Sequence, residues 1–470
     1  MEKMMRLASL LLLTTALSAC TVGPDYQRPA TVLTPTYATP VATQAADATW
    51  WHRFDDPLLD RIVDKVLAQN LDIAAASARI AQSRAAAKAA GAALLPAIGA
   101  AGSASSASQS LHSPFGAAAN QLGFPRGYEL YELGAQASWE IDLFGGLARQ
   151  RQAAVAGLQA STADEAAVRL SVVAETVDAY LQLRGLQARL DVAERQLAVQ
   201  RALTDLIRQR VVQGLSADRD LNRAMGDAEG VEASLVPLRM AIAGQVNRLD
   251  VLMGQQAGSG RADLFSATPI PAAIIPTGSA NPADLMRRRP DVVAAERRVA
   301  AANARIGAAL ADYYPKLSLG GLLGFASVGT AALFAGDAVQ ASGGLGLRWR
   351  LFDFGRVDAE VAGARGGEAE ALALYRSTVL HATEDVENAF VRLAEGRNEV
   401  TTLERQVAVL RQARAQAQSA YESGAVALIE LLDADRMLLA ASDRLVEARA
   451  GEARASVAAI RALGGGYQEV

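Results

Sequence analysis

Residues 133–144, LGAQASWEIDLF, alternate without a break between apolar and small or polar side chains. In an extended chain Leu133, Ala135, Ala137, Trp139, Ile141 and Leu143 point one way, and Gly134, Gln136, Ser138, Glu140 and Asp142 the other. About ten residues of this pattern is the length of a β-strand that crosses a bilayer. The pattern returns 210 residues later. At 343–351 it puts Leu345, Leu347, Trp349 and Leu351 on one face and Gly346, Arg348 and Arg350 on the other. Weaker partners, rich in Gly, Ala and Ser, lie at 97–108 and 316–327; in the latter Leu317, Leu319, Leu323 and Phe325 share a face. Pro96 and Pro315 each stop a helical pattern where a strand is expected to start. Trp139, Trp349, Tyr313 and Tyr314 are placed as girdle residues at the lipid–water boundary.

Four strands have two open edges, and an open edge is not tolerated in lipid, where each unsatisfied backbone group costs several kcal/mol. Four strands are also too few to close a barrel. Three chains would supply twelve, enough to leave an aqueous channel. Glu140, Asp142, Arg348 and Arg350, facing inward, would suit a water-filled lumen.

Beyond the strands the chain repeats itself. Asp72–Pro96 and Asp291–Pro315, 219 residues apart, are identical at ten of 25 positions. Further on the offset is 210, with Gly134, Trp139, Phe144 and Gly145 falling on Gly344, Trp349, Phe354 and Gly355. Gly214 and Leu221 fall likewise on Gly424 and Leu431. The change of offset places a longer loop in the first copy, at 109–130. Between the strands and the end of each copy run long helical patterns. Leu183, Leu186, Leu190, Ala193, Leu197, Thr204, Ile207 and Val211 are spaced alternately three and four, a coiled-coil seam. Leu393, Val400, Leu403, Val407, Leu410, Ala417 and Tyr421 repeat it.

The expected organisation follows from these marks. A signal peptide covers 1–19 and an extended, lipid-anchored tether 20–55. The first repeat, 56–254, has a helix, strands near 96–108 and 131–144, and helices at 146–213 and 218–254. A linker rich in Pro and Gly covers 255–281. The second repeat, 282–463, has strands near 315–327 and 342–354 and helices at 356–423 and 427–463, followed by a tail at 464–470.

Of 470 residues only Cys20 is a cysteine. It follows Lys3 and Arg6, a short apolar run and the small residues Ser18 and Ala19, which together read as a secretory signal. Leu-Ser-Ala-Cys at 17–20 resembles a bacterial lipobox, which makes Cys20 the expected lipidation site and, with Thr21 after it, the outer membrane the expected address. A lone cysteine in an exported chain forms no internal disulfide. Net charge is −4 with no basic face, which argues against nucleic acid. Aromatic residues are only 5%, low for a compact core of this size. His52, His112 and His381 have no metal-ligand neighbours at regular spacing, and no nucleophile elbow or phosphate loop occurs. No enzyme activity, metal or cofactor is expected.

The segments CTVGPDYQRP (20–29), RRRPDVVAAERRVAAANARIGAALADYYPKLSL (287–319), SWEIDLFG (138–145), LFDFGR (351–356) and YESGAVALIELLDADRMLLAAS (421–442) together resemble the TolC-type outer-membrane factor family, in its lipoprotein branch. The resemblance spans nearly the whole mature chain. It implies an α+β membrane protein with four transmembrane strands and long antiparallel coiled-coil helices per chain, in two tandem repeats. It further implies a homotrimer with a 12-stranded barrel in the outer-membrane lipid and a periplasmic α-helical barrel. The implied function is the passive, gated duct of a tripartite efflux pump, with a periplasmic adaptor protein and an inner-membrane transporter as partners. Within the same fold the alternative is the exit duct of a type I secretion system. In another class it is a lipid-anchored structural coiled coil without a pore. Laid on this sequence, the family's apolar and acidic gate rings fall on Ile429 and Asp433, one helical turn apart, with Glu430 and Asp435 as neighbours. The 287–291 stretch, RRRPD, reads as a helix start, with Pro290 and Asp291 in the first turn.

Overall fold

The structure, a computed structural model, describes residues 21–467 apart from 32, 40–41, 44–46, 260–261, 267 and 277–280. The expected signal segment 1–19 and Cys20 lie outside the described residues. In chain order the elements are α1 (Pro57–Gln69), α2 (Leu71–Ala92), β1 (Ala97–Ser108), α3 (Pro114–Gln121), β2 (Gly127–Ile141), α4 (Gly146–Val212) and α5 (Asp218–Leu252). Two short helices follow, α6 (Ala262–Phe265) and α7 (Leu285–Arg288). The second copy has α8 (Pro290–Leu310), β3 (Lys316–Ser327), β4 (Val339–Arg348), α9 (Arg356–Glu422) and α10 (Leu428–Ala462). The duplication is kept in the helices: α4 and α9 each have 67 residues, α5 and α10 each 35.

Contacts divide the chain into two units. The first comprises, of the described residues, 21–29, 81–160 and 296–374. It holds one antiparallel sheet in the order β1-β2-β3-β4. Register makes its two faces continuous. Ile98 pairs with Ala137, Leu133 with Phe325, Trp139 with Leu319, and Leu319 with Leu345. Directly opposed residues share a face, so one side carries an apolar band across the strands, with Glu129 and Ser106 beyond it at the far end. Gln136, Glu140, Ser318 and Arg348 lie on the other; Glu140 faces Ser318, and Arg348 faces Lys316.

The strands are shifted from the expected bounds. β2 begins at Gly127 and ends at Ile141, not at 144; β4 begins at Val339 and ends at Arg348, not at 354. The alternating pattern outruns both strands because helix-start residues take over. Asp142, expected in the lumen-facing row, lies past β2, where its carboxylate accepts the backbone N–H groups of Leu147 (3.1 Å) and Ala148 (2.7 Å). It satisfies free donors at the start of α4. Arg350, expected in the same row, lies beyond β4, 3.4 Å from Glu360 on α9.

Two tryptophans tie helix ends to the sheet. Trp139 Nε1 donates to the carbonyl of Leu94 (2.9 Å), and Trp349 Nε1 to that of Tyr313 (3.0 Å). Leu94 and Tyr313 are themselves 219 residues apart, each two before the proline that ends its helical pattern. The longer loop of the first copy carries α3, started by Pro114 and capped by Ser113, whose Oγ accepts from Gly116 N at 3.1 Å.

The second unit comprises 30–80, 161–295 and 375–470. Its main core packs Trp50, Trp51 and Phe54 with Leu59, Ile62, Val63 and Val66 of α1, against Val172–Leu183 of α4, the end of α5 and the end of α10. The four α1 residues are fully buried, each contributing roughly 1.5–3 kcal/mol relative to exposure. Part of the expected extended tether is packed, because its aromatic residues find a core; Tyr37 also meets Phe390 edge-on at 5.3 Å. The expected linker is packed too. Leu264 and Ile274 are buried, and Arg184 on α4, wholly buried, donates to Ser266 O at 2.7 Å. Its other end donates to Tyr180 Oη, and the Tyr180 hydroxyl donates to Asp56, which caps α1. Burial first, then the Asp56 carboxylate, pushes the Tyr180 phenol well above its ordinary range, so it stays a donor. Arg289 of the RRRPD stretch is a hub: the Nε–Nη2 edge of its guanidinium donates to both oxygens of Asp291 (3.0 and 2.6 Å), and Nη1 reaches Asp385 at 2.9 Å.

The expected consequence of the tryptophan clamps is a small, unequal cost. Trp139→Phe loses a part-buried hydrogen bond worth about 1 kcal/mol, and Trp349→Phe, whose bond is exposed, loses less. Thermal unfolding of each detergent-solubilised variant measures this; two unshifted midpoints would dismiss the clamps.

Candidate functional site

The first candidate surface is the sheet. On its apolar face Ile98, Leu133, Leu319, Leu323, Val339, Leu345 and Leu347 are exposed. So large an exposed apolar face marks a surface meant for lipid or protein. No helix among the described residues is long and apolar enough to cross a membrane. Of the expected girdle residues, Tyr313, Tyr314 and Trp349 are exposed and Trp139 is half-buried. Tyr314 stacks on Phe144 at 4.6 Å, at the foot of the sheet.

The second candidate is the pair of hairpin tips in the second unit. α4 turns into α5 at Gly214 (φ +74°), and α9 into α10 at Gly424 (φ +75°), a left-handed conformation that only glycine adopts freely. A buried cluster of Ile207, Ala224, Tyr421, Leu428, Leu431 and Leu432 packs one tip on the other. Beside it lies a groove of about 560 Å³, with Arg210, Arg219 and Arg223 on one side and Val426, Leu428 and Ile429 on the other. Ile429 and Asp433 are both exposed. Asp435, weighed as a neighbour for the acidic role, is 2% exposed and bonded to Arg414 Nε of α9 at 2.9 Å. It fastens the second hairpin internally.

Three fasteners have no trace in the sequence pattern. Arg436 of α10 donates to Asp227 of α5. That hydrogen bond first, with the Asp433 charge adding, holds the Arg436 pKa above its ordinary value. Arg189 of α4 meets Asp443 of α10 at 2.7 and 2.9 Å, and Arg454 of α10 meets Asp178 of α4 at 2.8 and 3.0 Å. Each joins the first hairpin to the second. Their partners are up to 276 residues apart and break the 210-residue symmetry, so no local spacing signals them. Among the described residues no group of His, Cys, Asp and Glu is arranged to hold a metal.

The family model for outer membrane efflux proteins matches residues 62–255 and 281–465, one match on each repeat. The chain belongs to that family. Among its relatives is the pyoverdine export outer membrane protein OpmQ of Pseudomonas putida, 30% identical, with 92% of each chain covered. The nodulation protein T of Rhizobium leguminosarum bv. trifolii is 29% identical over 97% of this chain and 96% of its own. Among solved structures, the outer-membrane channel OprN is 34% identical, with a TM-score of 0.86 and coverage of 95% of this chain and 99% of that one. The open-state MtrE channel of Neisseria gonorrhoeae is 25% identical, with a TM-score of 0.84 and coverage of 95% and 98%. The protein is therefore an outer-membrane efflux channel component and not an enzyme. The surfaces just described, an exposed apolar sheet face and the two packed helical tips, are the ones this family member presents.

The two acidic residues near the tip should separate cleanly. Asp435→Ala removes a buried partner of Arg414 and costs about 1–3 kcal/mol, because Arg414 is partly exposed and can rehydrate. Asp433→Ala, on the surface, should change stability by less than about 0.5 kcal/mol. Equal losses in denaturant unfolding would contradict the placement of the two carboxylates.

Proposed function

We propose that three copies of this chain close their sheets edge to edge into a twelve-stranded barrel, one passive duct of a tripartite efflux pump. The observation that carries this is a four-stranded sheet with an apolar band on one face, in which β1 and β4 each have a single partner. In lipid those two edges need partners, and a second copy offers the complementary edge. Membership of the efflux family supports the same reading. Glu140 and Arg348, on the face opposite the apolar one, line the lumen. Cys20 carries a lipid that adds an anchor in the outer membrane, since one acyl group supplements a barrel at little cost.

The helical tips form the periplasmic mouth, where a periplasmic adaptor and an inner-membrane transporter engage. Ile429 gives an apolar ring and Asp433 an acidic one. Three carboxylates about an axis repel unless a proton or cation compensates, so the ring favours cations. Arg436, held by Asp227, braces the turn of helix that carries Asp433.

Planar-bilayer recordings test the mouth. Asp433→Ala should raise single-channel conductance and lower cation preference, whereas an unchanged conductance would assign Asp433 to the outer surface. Export itself is checked by complementing a strain that lacks the channel and scoring its susceptibility to pump substrates.

A further inference from the structure

The residues just after Cys20 do not trail away from the first unit; they run through a slot in it. Val22 N donates to the carbonyl of Phe144, in the turn between β2 and α4, at 3.1 Å. Three glycines shape the slot. Gly23 has φ +97°, and a Cβ there would lie 2.4 Å from the Cα of Gly307 on α8. A Cβ on Gly145 would lie 2.2 Å from Thr21 Cγ2, and one on Gly307 would lie 2.8 Å from Arg149 Cγ. At Gly23 and Gly145 a side chain would run into backbone, and at Gly307 it would displace the Arg149 side chain.

Arg149, in the first turn of α4 and 4% exposed, closes the slot. Its Nε donates to Val22 O at 3.2 Å, Nη2 to Gly23 O at 3.2 Å and Asp25 Oδ1 at 3.0 Å, and Nη1 to Gln152 Oε1 at 3.0 Å. The Asp25 carboxylate is almost fully exposed, so that ion pair contributes little. The selective part is the fork on two successive carbonyls, which a lysine's single ammonium does not reproduce. Further along, the Tyr26 hydroxyl donates to Glu296, a wholly buried carboxylate of α8 that also holds Arg297.

The repeat offers a comparison inside the molecule. By the two offsets, Arg149 corresponds to Ala359 and Gly307 to Lys88. The second copy of the fold keeps the glycine turn at Gly355, yet has neither the guanidinium nor the gap. The slot was built once, where the strap passes.

We propose that Arg149 is a positioning residue, the latch that locks the strap 21–25 against the turn between β2 and α4. It thereby fixes the point at which the group on Cys20 enters the bilayer. That point is the foot of the sheet, beside the Phe144–Tyr314 stack. The strap is then a rigid mount and not a leash. This rests on the reading of Cys20 as lipid-bearing only for what is mounted; the latch itself stands on geometry.

The test uses the full chain purified in mild detergent, cut with chymotrypsin and followed by intact mass. Tyr26 is a chymotrypsin site inside the strap. Wild type should resist cleavage after Tyr26, while Gly23→Ala should be cut there roughly tenfold or more faster, with cleavage at other sites unchanged. Arg149→Gln should behave the same way and Arg149→Lys should not restore protection. If Arg149 variants fail to fold, Gly23→Ala still decides, since it alters the strap and not the body. Equal cleavage after Tyr26 in wild type and Gly23→Ala overturns the latch. The released N-terminal fragment reports separately on the anchor: a lipid mass supports it, and an unmodified Cys20 overturns that reading alone.

Discussion

The structure depends on where backbone hydrogen bonds can be completed. The sheet pairs each inner strand on both sides and leaves β1 and β4 with one partner each. In water an open edge is a liability; in hydrocarbon each bare N–H or C=O costs several kcal/mol. The apolar face commits the strands to lipid, so the edges commit the chain to company. Everything at the foot of the sheet serves to end the strands cleanly. Asp142 takes the first free amides of α4, Asp353 does the same for Val357 at 2.9 Å, and the two tryptophans hold the preceding turns.

The duplication explains the economy of the fold, and its breaches are where particular tasks concentrate. The lengths of the two long helices match residue for residue between copies. Among the exceptions are α3 in one loop, the Arg436–Asp227 and Arg414–Asp435 pairs at the tips, the Arg189–Asp443 and Arg454–Asp178 pairs between the hairpins, and the glycine slot closed by Arg149. A duplicated scaffold supplies stability twice over. Residues that differ between the copies are released from that duty and can brace a mouth or seat a strap.

Much of this was legible in the chain. Strict alternation at 133–141, the three-four seam and the offsets of 219 and 210 named the strands, the hairpins and the repeat. Alternation misled only at its ends. Asp142 and Arg350 continue the pattern in sequence, but capping and an ion pair to α9 claim them. The packing of the tether and linker was not legible for a related reason: proline and glycine content signals irregular backbone and says nothing about burial. Trp50, Leu264 and Ile274 lie in irregular or short elements and are nonetheless core.

Sequence alone determined the periodic features, because a helix or strand is set by neighbours a few residues away. It therefore fixed the element types, the repeat, the apolar sheet face and the family resemblance. Only the tertiary structure decided what meets across the chain. That Asp435 is buried and Asp433 exposed, that Arg184 and Arg289 are hubs, and that Gly23 sits against Gly307 are results of packing. Their partners are tens to hundreds of residues away, and short-range periodicity carries no information at that distance.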